Sequence, residues 1–164
     1  MLYNQEISII PIREEDLEKI HKIQTRSFEK DYYESLTVFE SIVRQFPDGA
    51  LTIVLDNAFA GYTFFHPYHR NIVKPINQPI LLDGTEDVMY INDIAILPEF
   101  RGMNLPDLFI CHIDKTTRKY GFTAQSLTAV QHSESYWEYF GFVKAFQVNN
   151  SGYKDACYMT RHIQ

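Results

Sequence analysis

The residues able to do chemistry gather in one stretch, Tyr90-Ile91-Asn92-Asp93-Ile94-Ala95-Ile96-Leu97-Pro98-Glu99-Phe100-Arg101-Gly102-Met103-Asn104-Leu105-Pro106-Asp107-Leu108. Its first half reads as a buried strand carrying one carboxylate, Asp93. Strand alternation puts Asp93 on a face with Ile91 and Ala95, and Tyr90 and Asn92 on the other. A carboxylate in such apolar company resists ionisation, so its pKa rises into the range useful to a general base. The plainer alternative is a structural Asp93 that only accepts hydrogen bonds from nearby amides. The second half turns at Arg101-Gly102 and starts a helix. A tight loop running into a helix N-terminus can hold an anion, because amides converge there and the helix dipole favours negative charge. Asn104 tolerates left-handed dihedrals and can hold the turn. Pro106 suits a first helical turn but brings no amide hydrogen. Asp107 complements the dipole yet repels an anion. The loop is a candidate phosphate cradle with one donor missing; the alternative is a capped helix start and nothing more.

A second cluster, Tyr136-Trp137-Glu138-Tyr139-Phe140-Gly141-Phe142, is aromatic. A tyrosine hydroxyl can deliver a proton, whereas an indole N–H donates hydrogen bonds only. Core packing is the competing role for most of these rings. His66 and His69 stand three apart around Pro67 and Tyr68, but no third ligand is apparent, so no metal is expected. Cys111 and Cys157 lack metal-ligand spacing and read as reduced thiols.

These residues must be positioned by a mixed set of elements. Apolar patterning predicts strands over 7–12, 51–55, 59–65, 88–97, 125–130, 142–148 and 156–161. A first helix carries Leu17, Ile20, Ile23 and Phe28 on one face, with Glu14, Glu15 and Asp16 in its first turn. A second is predicted over 35–46, with Thr37 and Glu40 at capping-box spacing. A third, over 105–120, turns Leu105, Leu108, Phe109, His112 and Ile113 inward and ends at Gly121. A short fourth covers 133–140. Residues 66–87 hold Pro67, Pro75, Pro79 and Gly84 and read as a long irregular loop, of a length that is usually functional or mobile. The order β-α-α-β-β-β-α-β-α-β-β is that of a mixed α/β domain, a single one over 1–164.

Composition narrows the classes. A chain of 164 residues that is 45% hydrophobic and 15% aromatic can bury a real core, which argues against disorder. The net charge of −6 argues against a nucleic-acid binder. The N-terminal residues 1–6 show no basic region followed by an apolar run, and no segment approaches a membrane span. A soluble, cytoplasmic protein without membrane partners is expected.

That element order and two motifs resemble the GNAT superfamily of acetyl-CoA-dependent N-acetyltransferases. The first motif is Ile96-Leu97-Pro98-Glu99-Phe100-Arg101-Gly102, similar to the family's strand-to-loop signature. The second is Ser135-Tyr136-Trp137-Glu138-Tyr139-Phe140-Gly141-Phe142, similar to its aromatic pair followed by Gly-Phe. More narrowly, His66-Pro67-Tyr68, Asn92-Asp93-Ile94-Ala95, Ala129-Val130-Gln131, Tyr136-Trp137 and Tyr158-Met159-Thr160-Arg161 resemble a bacterial branch with Trp where most members have Tyr.

The resemblance implies a central, mostly antiparallel, twisted sheet of about six to seven strands with helices on both faces. It implies that the backbone of Ile94, Ala95 and Ile96 pairs with the pantetheine arm of acetyl-CoA, which acts as a missing β-partner. The pyrophosphate would lie over Arg101, Gly102, Met103, Asn104, Leu105 and Pro106, where Asn104 and Pro106 replace the family's glycines. Asp93 would be the general base for direct attack by an amine, and Trp137 would pack against the pantetheine arm. Tyr136 would stand in for the missing acid, although a thiolate can also leave unaided, the thiol pKa being about 8.5. His66 and Tyr68, with His69, would shape the amine pocket. The acceptor would be a primary amine of a small molecule or peptide, and the acidic balance favours a cationic one through steering. Family members often form homodimers. The alternative class is a catalytically weak acyl-CoA-binding or sensor module.

Overall fold

Alternating apolar residues build seven strands, and the computed structural model, which describes residues 5–164, joins them in a single sheet. Met1 to Asn4, part of the stretch read for an export signal, lie outside the described residues. The strands are β1 (Ile7–Pro11), β2 (Ala50–Leu55), β3 (Ala58–Tyr68), β4 (Val88–Ile96), β5 (Ala124–Ala129), β6 (Val143–Val148) and β7 (Ala156–His162). They lie in the order β1-β2-β3-β4-β5-β7-β6, all neighbours antiparallel except β4 and β5. The helices are α1 (Leu17–Ser27), α2 (Leu36–Gln45), α3 (Leu105–Lys119) and α4 (Glu134–Tyr139). The element order is the one the sequence predicts. Among the described residues no helix is long and apolar enough to cross a membrane.

Amphipathic helices cover both faces of the sheet. On one, Leu17, Ile20 and Ile23 of α1 and Phe39 and Ile42 of α2 pack on Tyr62, Phe64 and Ala95. On the other, Ile110 and Ile113 of α3 and Trp137 of α4 pack on Phe65, Met89, Ile91 and Leu127. The buried stripe of α3 is Leu105, Phe109, Ile110, Ile113 and Thr117; Leu108 and His112, expected inward, are exposed. The cap of α2 is Ser35, whose hydroxyl meets that of Thr37 at 2.7 Å, so the capping box expected of Thr37 and Glu40 does not form.

β3 runs three residues beyond its predicted end, through His66, Pro67 and Tyr68. Proline is tolerated there because β2 leaves β3 at Phe64, so the strand beyond that point carries a ladder on one side only.

β4 contains the decisive irregularity. Phe64 pairs with Asp93 but Phe65 pairs with Ile91, so Asn92 is an extra, bulged residue. A one-residue slip exchanges the faces of a strand. Ile91 therefore packs on the α3 side, and Ala95 packs with α1 and α2. The expectation that Asp93 shares a face with both Ile91 and Ala95 fails at this bulge, since simple alternation assumes an unbroken ladder. Asn92 and Asp93 instead both reach the α1 side, where Asn92 meets Glu34 and Asp93 meets Tyr62. At the same point β4 leaves β5. Their parallel pairing stops at Ile91 and Leu127, although β4 continues to Ile96 and β5 to Ala129.

Candidate active site

The parting of β4 and β5 opens three cavities in series. The largest, about 340 Å³, has Ile94, Ala95 and Ile96 on one wall and Arg101, Gly102 and Pro106 at its outer end. It shares Ser27, Phe28, Ile94 and Tyr136 with a middle cavity of about 210 Å³. The middle one shares Phe28, Asn92, Asp93, Thr128 and Val130 with an inner cavity of about 40 Å³. Phe28, which caps α1, lines all three.

The outer end is a loop of unusual backbone. Gly102 has φ 82° and Asn104 has φ 56°, so the asparagine takes the left-handed turn expected of it and caps α3. The first amides of a helix have no partner within it, so those of Leu105 and Asp107 are free to meet an anion, while Pro106 has none. Arg101 turns its Nε onto the carbonyl of Ile96 at 3.1 Å, pinning the loop to the end of β4. A strand edge without a β-partner, a cavity along it and loop amides at its mouth fit an extended amide chain ending in phosphates, which is the form of coenzyme A.

Asp93 lies at the junction of the middle and inner cavities. Its Oδ2 accepts a hydrogen bond from the Tyr62 hydroxyl at 2.8 Å, and the Asn92 amide approaches its Oδ1 at 3.4 Å. Burial, and then the negative charge of Glu34, raise its pKa to about 7, against the lowering pull of Tyr62, Asn92 and Lys74. Glu34 stands across the inner cavity with its Oε2 on Asn92 Nδ2 at 2.7 Å. The buried side chain of Gln24 fixes Glu34 by bonding its backbone both ways, at 2.9 Å and 3.0 Å. Lys74, almost fully buried, places its ammonium 3.8 Å from Glu34, and burial lowers its pKa. The arrangement can hold a cation and receive a proton near neutral pH.

α4 sets two aromatic residues on the gap. Tyr136 lines the large and middle cavities, and burial, then the Asp107 carboxylate, push its pKa up to about 12. Trp137 is buried, lines the middle cavity and packs edge-on against Phe142 with ring centres 5.6 Å apart.

The predicted residues Ile94, Ala95, Ile96, Arg101, Gly102, Pro106, Asp93, Tyr136 and Trp137 therefore line one connected space. Met103 and Leu105 pack instead against the apolar cluster beneath α3. His66 and Tyr68 are not among the residues lining the three cavities. His66 is fully buried in β3, its Nδ1 lies 2.8 Å from the Pro67 carbonyl, and burial lowers its pKa to about 3. His69 does meet two carboxylates that the sequence did not single out, Asp83 and Glu86, with ligand atoms within 4.8 Å of one another. Both already accept loop amides, Asp83 from Thr85 and Glu86 from Asp83 and Gly84. Glu34, Lys74, Phe28 and Tyr153 were missed. Glu34, Lys74 and Tyr153 lie in connecting segments without periodic signal, and Phe28, read only as part of the apolar face of the first helix, is the residue that ends α1.

No family model matches the sequence, and no curated protein matches it. Solved structures do. The loading GNATL domain of CurA from Lyngbya majuscula has a TM-score of 0.82 at 10% identity, over 96% of this chain and 98% of that one. Ard1 from Thermoplasma volcanium has a TM-score of 0.74 at 16% identity, over 96% and 98%. Naa50 of Arabidopsis thaliana, in complex with the bisubstrate analogue CoA-Ac-MVNAL, has a TM-score of 0.68 at 14% identity, over 94% and 97%. At these identities the likeness establishes the fold: this chain has the GNAT fold.

Proposed function

We propose that the protein transfers an acetyl group from acetyl-CoA to the primary amine of a small-molecule or peptide acceptor. The observation that carries this reading is the position of Asp93, at the bulge where β4 parts from β5 and between the two arms of the cavity. A structural neighbour bound to a bisubstrate CoA analogue supports the same cofactor.

Ile94, Ala95 and Ile96 would hold the pantetheine arm along the free edge of β4, with Trp137 beside it. The loop from Arg101 to Pro106 would hold the phosphates. Bound there, acetyl-CoA supplies an acetyl thioester, an electrophile. Asp93 takes the proton that the amine loses as its N–C bond forms. Tyr136, protonated throughout the neutral range, offers its hydroxyl to the sulfur as the C–S bond breaks. The walls of Phe28, Ile94 and Val130 keep bulk water from competing for the acetyl group.

Calorimetry with acetyl-CoA followed by thiol release over an amine panel tests the reading. Binding with turnover on at least one amine supports it. Tight binding without turnover, indifferent to Asp93→Asn, would instead make the protein an acyl-CoA-binding module.

A further inference from the structure

We propose that the acceptor presents a primary ammonium at the tip of a thin, unbranched alkyl chain, as a diaminoalkane or a lysine side chain does. This rests on the acetyl-transfer reading above and specifies its substrate class.

The inner cavity is the end of the acceptor arm, and its walls choose the guest. Glu34 and Asp93 place two carboxylates on it, while Lys74 offers one positive charge beside Glu34. With Asp93 ionised, as the base must be, two negative charges stand against one positive, a deficit that a single ammonium fills. Phe28, Tyr32, Ile76, Val130 and Tyr153 supply apolar and aromatic walls that suit methylenes and a cation over ring faces, beside the polar side chains of Asn92 and Thr128.

Size excludes the obvious competitor. A volume of about 40 Å³ holds about three water-sized groups. That admits a nitrogen and one or two methylenes. A peptide α-amine brings a carbonyl, and in most residues a side chain, on the carbon next to nitrogen, and so needs more room at this end than an unbranched chain does. The mouth is also narrow: the Tyr32 hydroxyl reaches the Lys154 carbonyl at 3.5 Å, joining the segment after α1 to the β6–β7 turn.

Beyond Tyr32 lies an outer cavity of about 250 Å³ lined by Asp31, Gly152 and Lys154. The carboxylates of Glu29, Asp31 and Asp155 all act on the Tyr32 hydroxyl. A chain threaded past Tyr32 would set a second cationic group beside Asp31, or a peptide backbone between Asp31 and Lys154.

The test compares acetylation of 1,5-diaminopentane, a peptide with a blocked N-terminus and one internal lysine, and a lysine-free peptide with a free N-terminus. Either of the first two should exceed the third in kcat/KM by on the order of 10- to 100-fold. Which of the two leads distinguishes a small molecule from a protein side chain as the source. Glu34→Gln should lower kcat/KM for the preferred amine by on the order of 10- to 100-fold without changing acetyl-CoA affinity. Its fold should survive, since Gln24 holds the Glu34 backbone rather than its carboxylate. Ile76→Trp, which fills the inner cavity, should abolish the same activity without altering charge. Preference for the free N-terminus, or indifference to both substitutions, overturns the proposal and leaves acetyl transfer standing. Failure to bind acetyl-CoA overturns both.

Discussion

The Tyr62 hydroxyl donates to Asp93 Oδ2 across 2.8 Å, from the strand that pairs with β4. The bond joins a fully buried Tyr62 to an Asp93 that is only half-buried. It favours the ionised carboxylate and opposes the upward push of burial and Glu34. Tyr62→Phe should therefore raise the Asp93 pKa and move the acid limb of the kcat/KM profile to higher pH by about one unit. A profile that stays in place contradicts the role given to Asp93.

Folding stability should report the same carboxyl. Its pKa rises from the ordinary 3.8 to about 7 on folding, burial being the first cause. Below 3.8 the group is neutral in both states and its contribution is fully present. As the pH climbs towards 7 the unfolded chain ionises first, so stability is lost across that window. Asp93→Asn removes the titration. The variant's unfolding midpoint should gain on the parent's between pH 4 and pH 8, by on the order of ten degrees for a domain of this size. A constant difference across that range contradicts the burial argument.

How much of this was legible from sequence follows from how each residue announces itself. The strands and helices carry periodic apolar residues, and their order was readable throughout. The left-handed turn at Asn104 was readable because few residues accept that geometry. The bulge at Asn92 was not, because it depends on how β3 registers against β4, and alternation along one strand contains no record of its partner. Glu34 and Lys74 were invisible for a related reason. A charged residue in a loop reads as solvated, and only the Gln24 clamp and the closing β6–β7 turn bury this pair. His66 misled in the other direction, since Pro67 disguised the end of a buried strand as a loop.

Pro106 stands at the second position of α3, where, on the proposed reading, an amide would face the phosphates of acetyl-CoA. Pro106→Ala restores that donor. It should tighten acetyl-CoA binding by about threefold to tenfold and change stability by less than about 1 kcal/mol. Calorimetric titration reads the first and thermal unfolding the second. Unchanged or weaker binding would show that the phosphates lie elsewhere.

Tyr136 and Trp137 are neighbours in different surroundings. Tyr136 is 40% exposed in the gap, whereas Trp137 is 8% exposed in the core. Tyr136→Phe should lower kcat by about tenfold with stability intact, and leave no new alkaline limb, since the tyrosine titrates only near 12. Trp137→Ala should cost about 3–5 kcal/mol of stability, the range for emptying a large aromatic site in a core. If the two phenotypes are exchanged, the assignment of roles on α4 is wrong.

The most direct measurement is single-turnover acetyl transfer from labelled acetyl-CoA, with the parent and Asp93→Asn compared at equal cofactor occupancy. The expected result is transfer to the amine by the parent and a loss of about 100-fold or more in the variant at neutral pH, with acetyl-CoA affinity unchanged. Equal rates in the two proteins, at equal occupancy, would contradict Asp93 as the group that takes the amine's proton.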